Sequence, residues 1–279
     1  MPAVTREIGL TAAREIRKNL RTTKGIALFV LFVLGGLGSL AVMRGFKWLV
    51  ESATRTQPPP EVLREFKLNA LTEAYGATTA KYLVDCPGML YTQFQLTLFF
   101  FPLLILLVGF DVIAGETQHR TFRYLVVRAP RAAITTGKAL GLWAATSAML
   151  LVLFITSGIA AVADGEPVGT VIGWDLRLWA FAAIYGAAYV GLTTLTSSLV
   201  RTPIIALLAG FGLVVVLGIA RFVLLVAKID WATWIFPSTY DKWLLSPDPT
   251  HLLSAIAVLL AWGGACLGAA VEVVRRRDV

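Results

Sequence analysis

An all-α polytopic membrane protein is the fold class that this sequence predicts, on three observations. Hydrophobic residues make up 57% of the chain and charged residues only 15%, whereas a soluble domain carries about 25% charged residues. Several uncharged runs exceed the roughly 18 residues that cross a bilayer as a helix. Those runs do not alternate apolar with polar residues, which argues against a transmembrane barrel. The formal charge of +8 is expected to anchor the chain to anionic lipid of the inner leaflet, with no nucleic acid partner. Cys86 and Cys266 lie far apart, as do His119 and His251, so neither a disulfide framework nor a metal centre is expected.

In 4–24, Val4, Ile8, Ala12, Ile16 and Leu20 recur every four residues, with Arg6, Arg14, Arg17, Lys18 and Arg21 on the other faces. That spacing predicts an amphipathic helix lying in the membrane interface. The run 26–43 is too long for a signal-peptide core, and Arg44 and Lys47 follow it instead of a small-residue cleavage site. It reads as a retained first span. Residues 44–88 form a polar insertion with a stiff Gln57-Pro58-Pro59-Pro60 linker, a helix-forming stretch from Glu61 to Tyr75 and a turn at Asp85-Cys86-Pro87-Gly88. It predicts a small helical cap outside the membrane, packing on the spans or meeting an extracytoplasmic partner.

The second span is expected at 89–110, where Pro102 is a kink site. The hairpin 111–138 separates it from the third span at 139–163. An acidic loop with Asp164, Glu166, Pro167 and Asp175 leads to the fourth at 178–200. The fifth is expected at 204–227 and the sixth at 252–271. Between them, 228–250 holds Trp231, Trp234, Phe236, Tyr240 and Trp243, broken by Pro237, Pro247 and Pro249. Aromatic density of this kind favours the headgroup layer, so short interfacial or re-entrant helices are expected.

Basic residues set the expected orientation. The N-terminal segment, the hairpin, the turn at Arg201-Thr202-Pro203 and the C-terminus hold about 15 of the 25 Lys and Arg residues with about six of the 17 acids. Both termini are therefore expected inside, in a bacterial cytoplasmic (inner) membrane. No nucleotide-binding loop is present. The nearest match is Thr136-Gly137-Lys138, with Ala132 where the first glycine belongs and Ala139 where Ser or Thr would hold magnesium. No hydrolytic motif occurs either, so the chain is not expected to be an enzyme or to carry a cofactor.

The hairpin concentrates charge in a chain short of it: Asp111, Glu116, Arg120, Arg123, Arg128, Arg131 and Lys138. Between the charges lies a short apolar and aromatic segment, Phe122, Tyr124, Leu125 and Val126, ended by Pro130, which biases Ala129 away from helix. An exposed apolar cluster rimmed by arginine is the signature of a docking surface. The other reading is an amphipathic elbow that dips into lipid.

The ordered set Asp111-Val-Ile-Ala-Gly-Glu116, Arg120-Thr121-Phe122-Arg123-Tyr124-Leu125, Arg128-Ala-Pro-Arg131 and Gly137-Lys138-Ala-Leu-Gly141 resembles the type-2, exporter-type permease subunits of ABC transporters. The tail Arg276-Arg277-Asp278-Val279 is also similar to theirs. Two features depart from the pattern: Ala129 stands between Arg128 and Pro130, and the first outer loop is long. The resemblance implies a dimeric permease coupled to separate ATPase subunits, which would hold the ATP and magnesium. The second permease would be another copy of this chain or a similar one. It further implies that Phe122 to Val127 form a coupling helix seated on the ATPase. Arg120, Arg123, Arg128 and Arg131 would pair with acids around that seat or with lipid phosphate. Glu116, with Thr121 in the same docking segment, would tie the second span to the coupling helix.

Tyr185, Tyr189, Thr193 and Arg221 are candidate pathway residues; packing against neighbours, and snorkelling for Arg221, are the competing readings. Gly137-x-x-x-Gly141 and Gly264-x-x-x-Gly268 permit close helix contact. A membrane anchor that recruits a soluble partner, and an ion-driven secondary transporter, remain as alternatives. The absence of a carboxylate in the middle of the spans counts against the latter.

Overall fold

The computed structural model describes residues 2–54 and 60–277. Most of the proline linker, Asp278 and Val279 lie outside the described residues, as does the side chain of Arg128. The chain is built from helices, with no strand among the described residues. Six of the helices are long and apolar enough to cross a bilayer, and the protein is an integral membrane protein.

Helix α1 (Pro2–Arg21) meets α2 (Thr23–Thr54) at a break where the Thr22 hydroxyl accepts the Gly25 N–H at 3.2 Å. Helix α2 runs on beyond Arg44, because no proline interrupts it before Thr54. The first part of the expected polar insertion thus extends the first span. Helices α3 (Pro60–Tyr75) and α4 (Ala77–Leu83) turn about Gly76, whose φ of 85° suits glycine. Lys67 fastens this cap by donating to the carbonyls of Val84 at 2.7 Å and Cys86 at 2.5 Å. Tyr91 donates to the Tyr75 hydroxyl at 3.0 Å.

Next come α5 (Gly88–Gly109), with Pro102 inside it, and the short α6 (Ala114–Gln118) and α7 (Phe122–Arg128). Long helices follow: α8 (Arg131–Ala163), α9 (Val168–Leu199) and α10 (Pro203–Val226). Two helical turns, α11 (Asp230–Thr233) and α12 (Asp241–Leu244), flank a 3-10 turn at Pro237–Thr239, and α13 (Pro249–Arg276) ends the described chain. Asp175, expected in an acidic loop, lies inside α9 and packs over Gly158 of α8. Only three loop residues and Pro167 separate α8 from α9, too few to reach Asp175.

Helix α9 is the centre of the bundle, packed against α5, α8, α10 and α13. Phe94, Phe101, Ile105, Leu142, Leu150, Phe154 and Leu178 fill the core around it. Lipid-facing helices gain little from hydrophobic burial, so close backbone approach matters more. A Cβ on Gly191 would fall 2.3 Å from the Gly263 carbonyl oxygen, and one on Gly263 would fall 2.6 Å from that of Ala187. The close approach on α13 is thus at Gly263. Gly264 and Gly268 have open space around them within this chain, contrary to the expected contact.

The same device holds α1. A Cβ on Gly137 would lie 2.8 Å from the Ile8 carbonyl oxygen, and one on Gly141 would lie 2.8 Å from that of Ala12. The face of α1 that meets α8 therefore includes Ile8, Thr11, Ala12 and Glu15. Val4 and Leu20, members of the period-four stripe, are exposed on the outside of the chain. Helix α1 docks on protein through a small and partly polar face and leaves part of its apolar stripe uncovered by this chain.

Candidate functional site

The hairpin is a braced elbow at the end of the bundle that carries both chain termini. After α5 the backbone leaves helical geometry, which frees amide groups that need partners. Ser197, near the end of α9, supplies them: its Oγ accepts the N–H groups of Ile113 and Ala114 at 3.0 Å each and donates to the Phe110 carbonyl at 2.9 Å. Arg120 then takes a φ of 57°, a left-handed turn that redirects the chain from α6 into α7. Ala129 is extended at φ −146° and ψ 149°, and Pro130 is the N-cap of α8, as the sequence around Pro130 predicts.

A buried charge network braces this elbow. Lys138 of α8, whose side chain is 3% exposed, lies 3.1 Å from Glu15 of α1 and 3.1 Å from Glu116 of α6. Glu116 also accepts the Thr121 hydroxyl, which ties α6 to the first residue before α7. Lys18 lies 3.4 Å from Glu15 and 3.9 Å from Asp111, and Lys24 lies 2.6 Å from Asp111. Lys24 also donates to the Val108 carbonyl at 2.7 Å. Burial disfavours the Lys18 charge, but Glu15, Asp111 and Glu116 outweigh it and hold its ammonium above the ordinary range. Three carboxylates therefore meet three ammonium groups, and the network joins α1, α2, the α5–α6 junction and α8.

The aromatic cluster divides. Phe122, expected to be exposed, is 5% exposed and packs with Val112, Ile113, Ile134 and Val274. Leu125 and Val126 are partly buried against the same cluster. The reason is helical geometry: Phe122, Leu125 and Val126 occupy positions i, i+3 and i+4 of α7 and share one face. Tyr124 at 77% and Val127 at 86% exposure stand on the opposite face. Arg131, expected to meet outside acids or lipid phosphate, instead caps α13. It donates to the carbonyls of Val274 at 3.1 Å, Arg275 at 3.0 Å and Arg277 at 2.6 Å, the unpaired acceptors at that helix end. Arg120 and Arg123 line a cavity of about 500 Å³ together with Arg201, Arg277, Thr117 and Phe122. Arg277 also donates to the Ser198 carbonyl at 3.1 Å.

Residues of the far half form a second region. Tyr185 and Tyr189 share a hydroxyl–hydroxyl hydrogen bond of 3.1 Å and line a cavity with Arg221. Thr193 does not join them; it is buried where α9 packs on Gly109 of α5.

Sequence reasoning missed Glu15, Lys24, Ser197 and Arg201. Glu15 left a signal: it is an acid seven residues after Ile8 and three after Ala12, on one face of α1. An acid at such a position calls for a buried cation. Ser197 lay in a visible polar run at the end of a span, yet its partner amides lie 83 and 84 residues away in sequence.

No curated protein matches this chain. A family model does match, over residues 11–235 and hence most of the chain, and its description is ABC-2 family transporter protein. The spans and that match agree: the chain belongs to the ABC-2 transporter family, as a membrane component.

Proposed function

We propose that the chain is the permease subunit of an ATP-driven exporter. Two copies, or this chain and a similar one, would form the pathway, and separate ATPase subunits would hold ATP and magnesium. The elbow would lie in the cytosol with both termini, in a bacterial inner membrane, as the excess of basic residues at that end supports. The observation that carries the reading is the exposed Tyr124–Val127 face of α7, set on an elbow that is otherwise anchored. That face would enter a groove on the ATPase, and the arginines of the neighbouring cavity, with Arg128, would meet its acids. Phe122, Leu125 and Glu116 would transmit the movement instead of touching the motor.

Closure of the ATPase pair on ATP would displace α7. Through Glu116, Lys138 and Glu15, α7 is connected to α8 and α1, and these would shift with it between inward and outward arrangements. Helix α10 exposes Ile204, Leu208, Phe211, Val215 and Ile219, an apolar face for lipid or a second permease. The insertion would meet an extracytoplasmic partner through Val62 and Phe66, which are exposed on α3.

The test is co-reconstitution with a candidate ABC ATPase subunit from the same genome. The permease should form a stable complex with it and change its ATP turnover in lipid vesicles. An ATPase that neither binds nor responds would leave the chain a membrane anchor.

A further inference from the structure

The cavity that holds Arg221 is not part of the elbow. It lies among α5, α9, α10 and the turns after α10, with a volume of about 470 Å³, within the range of small-molecule sites. Its walls are mainly apolar, including Leu98, Phe99, Val214 and Phe236, and Gln95, Ser238 and the two tyrosine hydroxyls add hydrogen-bonding groups. Phe99 and Val215 at its edge are exposed on the outside of the bundle, where an acyl chain could enter sideways from lipid.

Arg221 is the cation of this cavity. A guanidinium stays protonated in proteins, and a charge held in such surroundings is unfavourable unless paired. Its Nε is buried without a hydrogen-bond partner, and among the described residues no carboxylate forms an ion pair with it. Asp241 is the one acid in the lining, and its Oδ1 accepts the Lys242 N–H at 2.7 Å. Burial raises the Asp241 carboxyl above its ordinary range, and the Arg221 charge and that N–H only oppose the shift. Without an ion pair among the described residues, the Arg221 guanidinium is open to a ligand, with two phenols beside it and an apolar chamber around it.

We propose that this cavity binds an anionic amphiphile, with its carboxylate or phosphate on Arg221 and its hydrocarbon against α5 and α10. A fatty acid from the aqueous phase and a phosphate-headed lipid from the bilayer share that chemistry. The proposal rests on the exporter reading for its purpose, as a substrate site, but its test does not need the ATPase.

Radiolabelled dodecanoate and dodecyl phosphate are titrated onto the permease in phosphatidylcholine nanodiscs, with empty nanodiscs subtracted and dodecyltrimethylammonium as the opposite charge. Saturable binding of both anions and none of the cation is expected. Dodecanoate alone binding would assign the site to fatty acids, and dodecyl phosphate alone to phosphate-headed lipid. Arg221→Gln should weaken binding roughly tenfold or more, and Arg221→Lys less, since a charge-assisted contact is lost in the first and kept in the second. Gly218→Leu is the second variant: Gly218 lines the cavity and a Cβ there meets nothing within 4 Å. It should block binding while thermal unfolding stays unchanged. Equal binding of the cationic amphiphile, or anion binding that survives both Arg221→Gln and Gly218→Leu, would overturn the proposal. Failure here with ATPase coupling intact would leave the exporter reading standing; binding without coupling would do the reverse.

Discussion

Replacing Lys138 with methionine is expected to lower stability by about 3–5 kcal/mol, because it strands buried carboxylates without their cation. The side chains of Lys138, Glu15 and Glu116 are 3%, 5% and 17% exposed, so water cannot take over the lost contacts. The effect reaches past α8. Glu116 holds Thr121 at the start of α7, and Glu15 holds α1 on the other side of the same ammonium. The Lys138→Met chain should unfold at a lower temperature in detergent and yield less folded protein. Adding Glu116→Gln should recover part of the loss, since among the described residues that carboxylate has its ion pair with Lys138 alone. A single variant as stable as the wild type would show that the ammonium is not the keystone of the elbow.

The second large effect separates docking from packing within one short helix. Tyr124→Ala with Val127→Ala should leave the permease folded and weaken its hold on the ATPase by about thirtyfold, as loss of a ~2 kcal/mol interfacial hot spot does. Phe122→Ala should behave differently. Its ring fills the cluster of Val112, Ile113, Ile134 and Val274, and emptying such a site costs about 3–5 kcal/mol. Thermal unfolding and co-purification, measured on both variants, give the two readouts. Unchanged ATPase binding by the Tyr124/Val127 variant would place that face in lipid.

Much of this fold was legible because bilayer physics is coarse. A long uncharged run admits almost one reading. Helix ends were less legible. Asp175 and the residues after Arg44 looked like loop because they are polar, but helices continue through them. Polarity marks where a span leaves lipid, and the backbone need not stop there. At the elbow, the residues were visible and their directions were not. Phe122 and Tyr124 read alike as exposed aromatics until the turn of the helix puts one inside and the other out. Arg131 read as a docking cation, because the α13 carbonyls it caps lie 143 to 146 residues away. Contacts of that separation leave no local pattern. Tyr185, Tyr189 and Arg221 could be singled out by their chemistry alone, and three of the four candidate pathway residues fall in or at one cavity.

The central claim is that the exposed face of α7 is a handle in the cytosol for a separate motor. Thiol labelling of Val127→Cys, in a chain with Cys86 and Cys266 changed to serine, tests it most directly. Sealed vesicles of each orientation are treated with a membrane-impermeant maleimide, with and without the ATPase bound. Labelling from the cytosolic side alone, suppressed when the ATPase is bound, is the predicted result. Labelling from the external side, or labelling that the bound ATPase does not change, would contradict it.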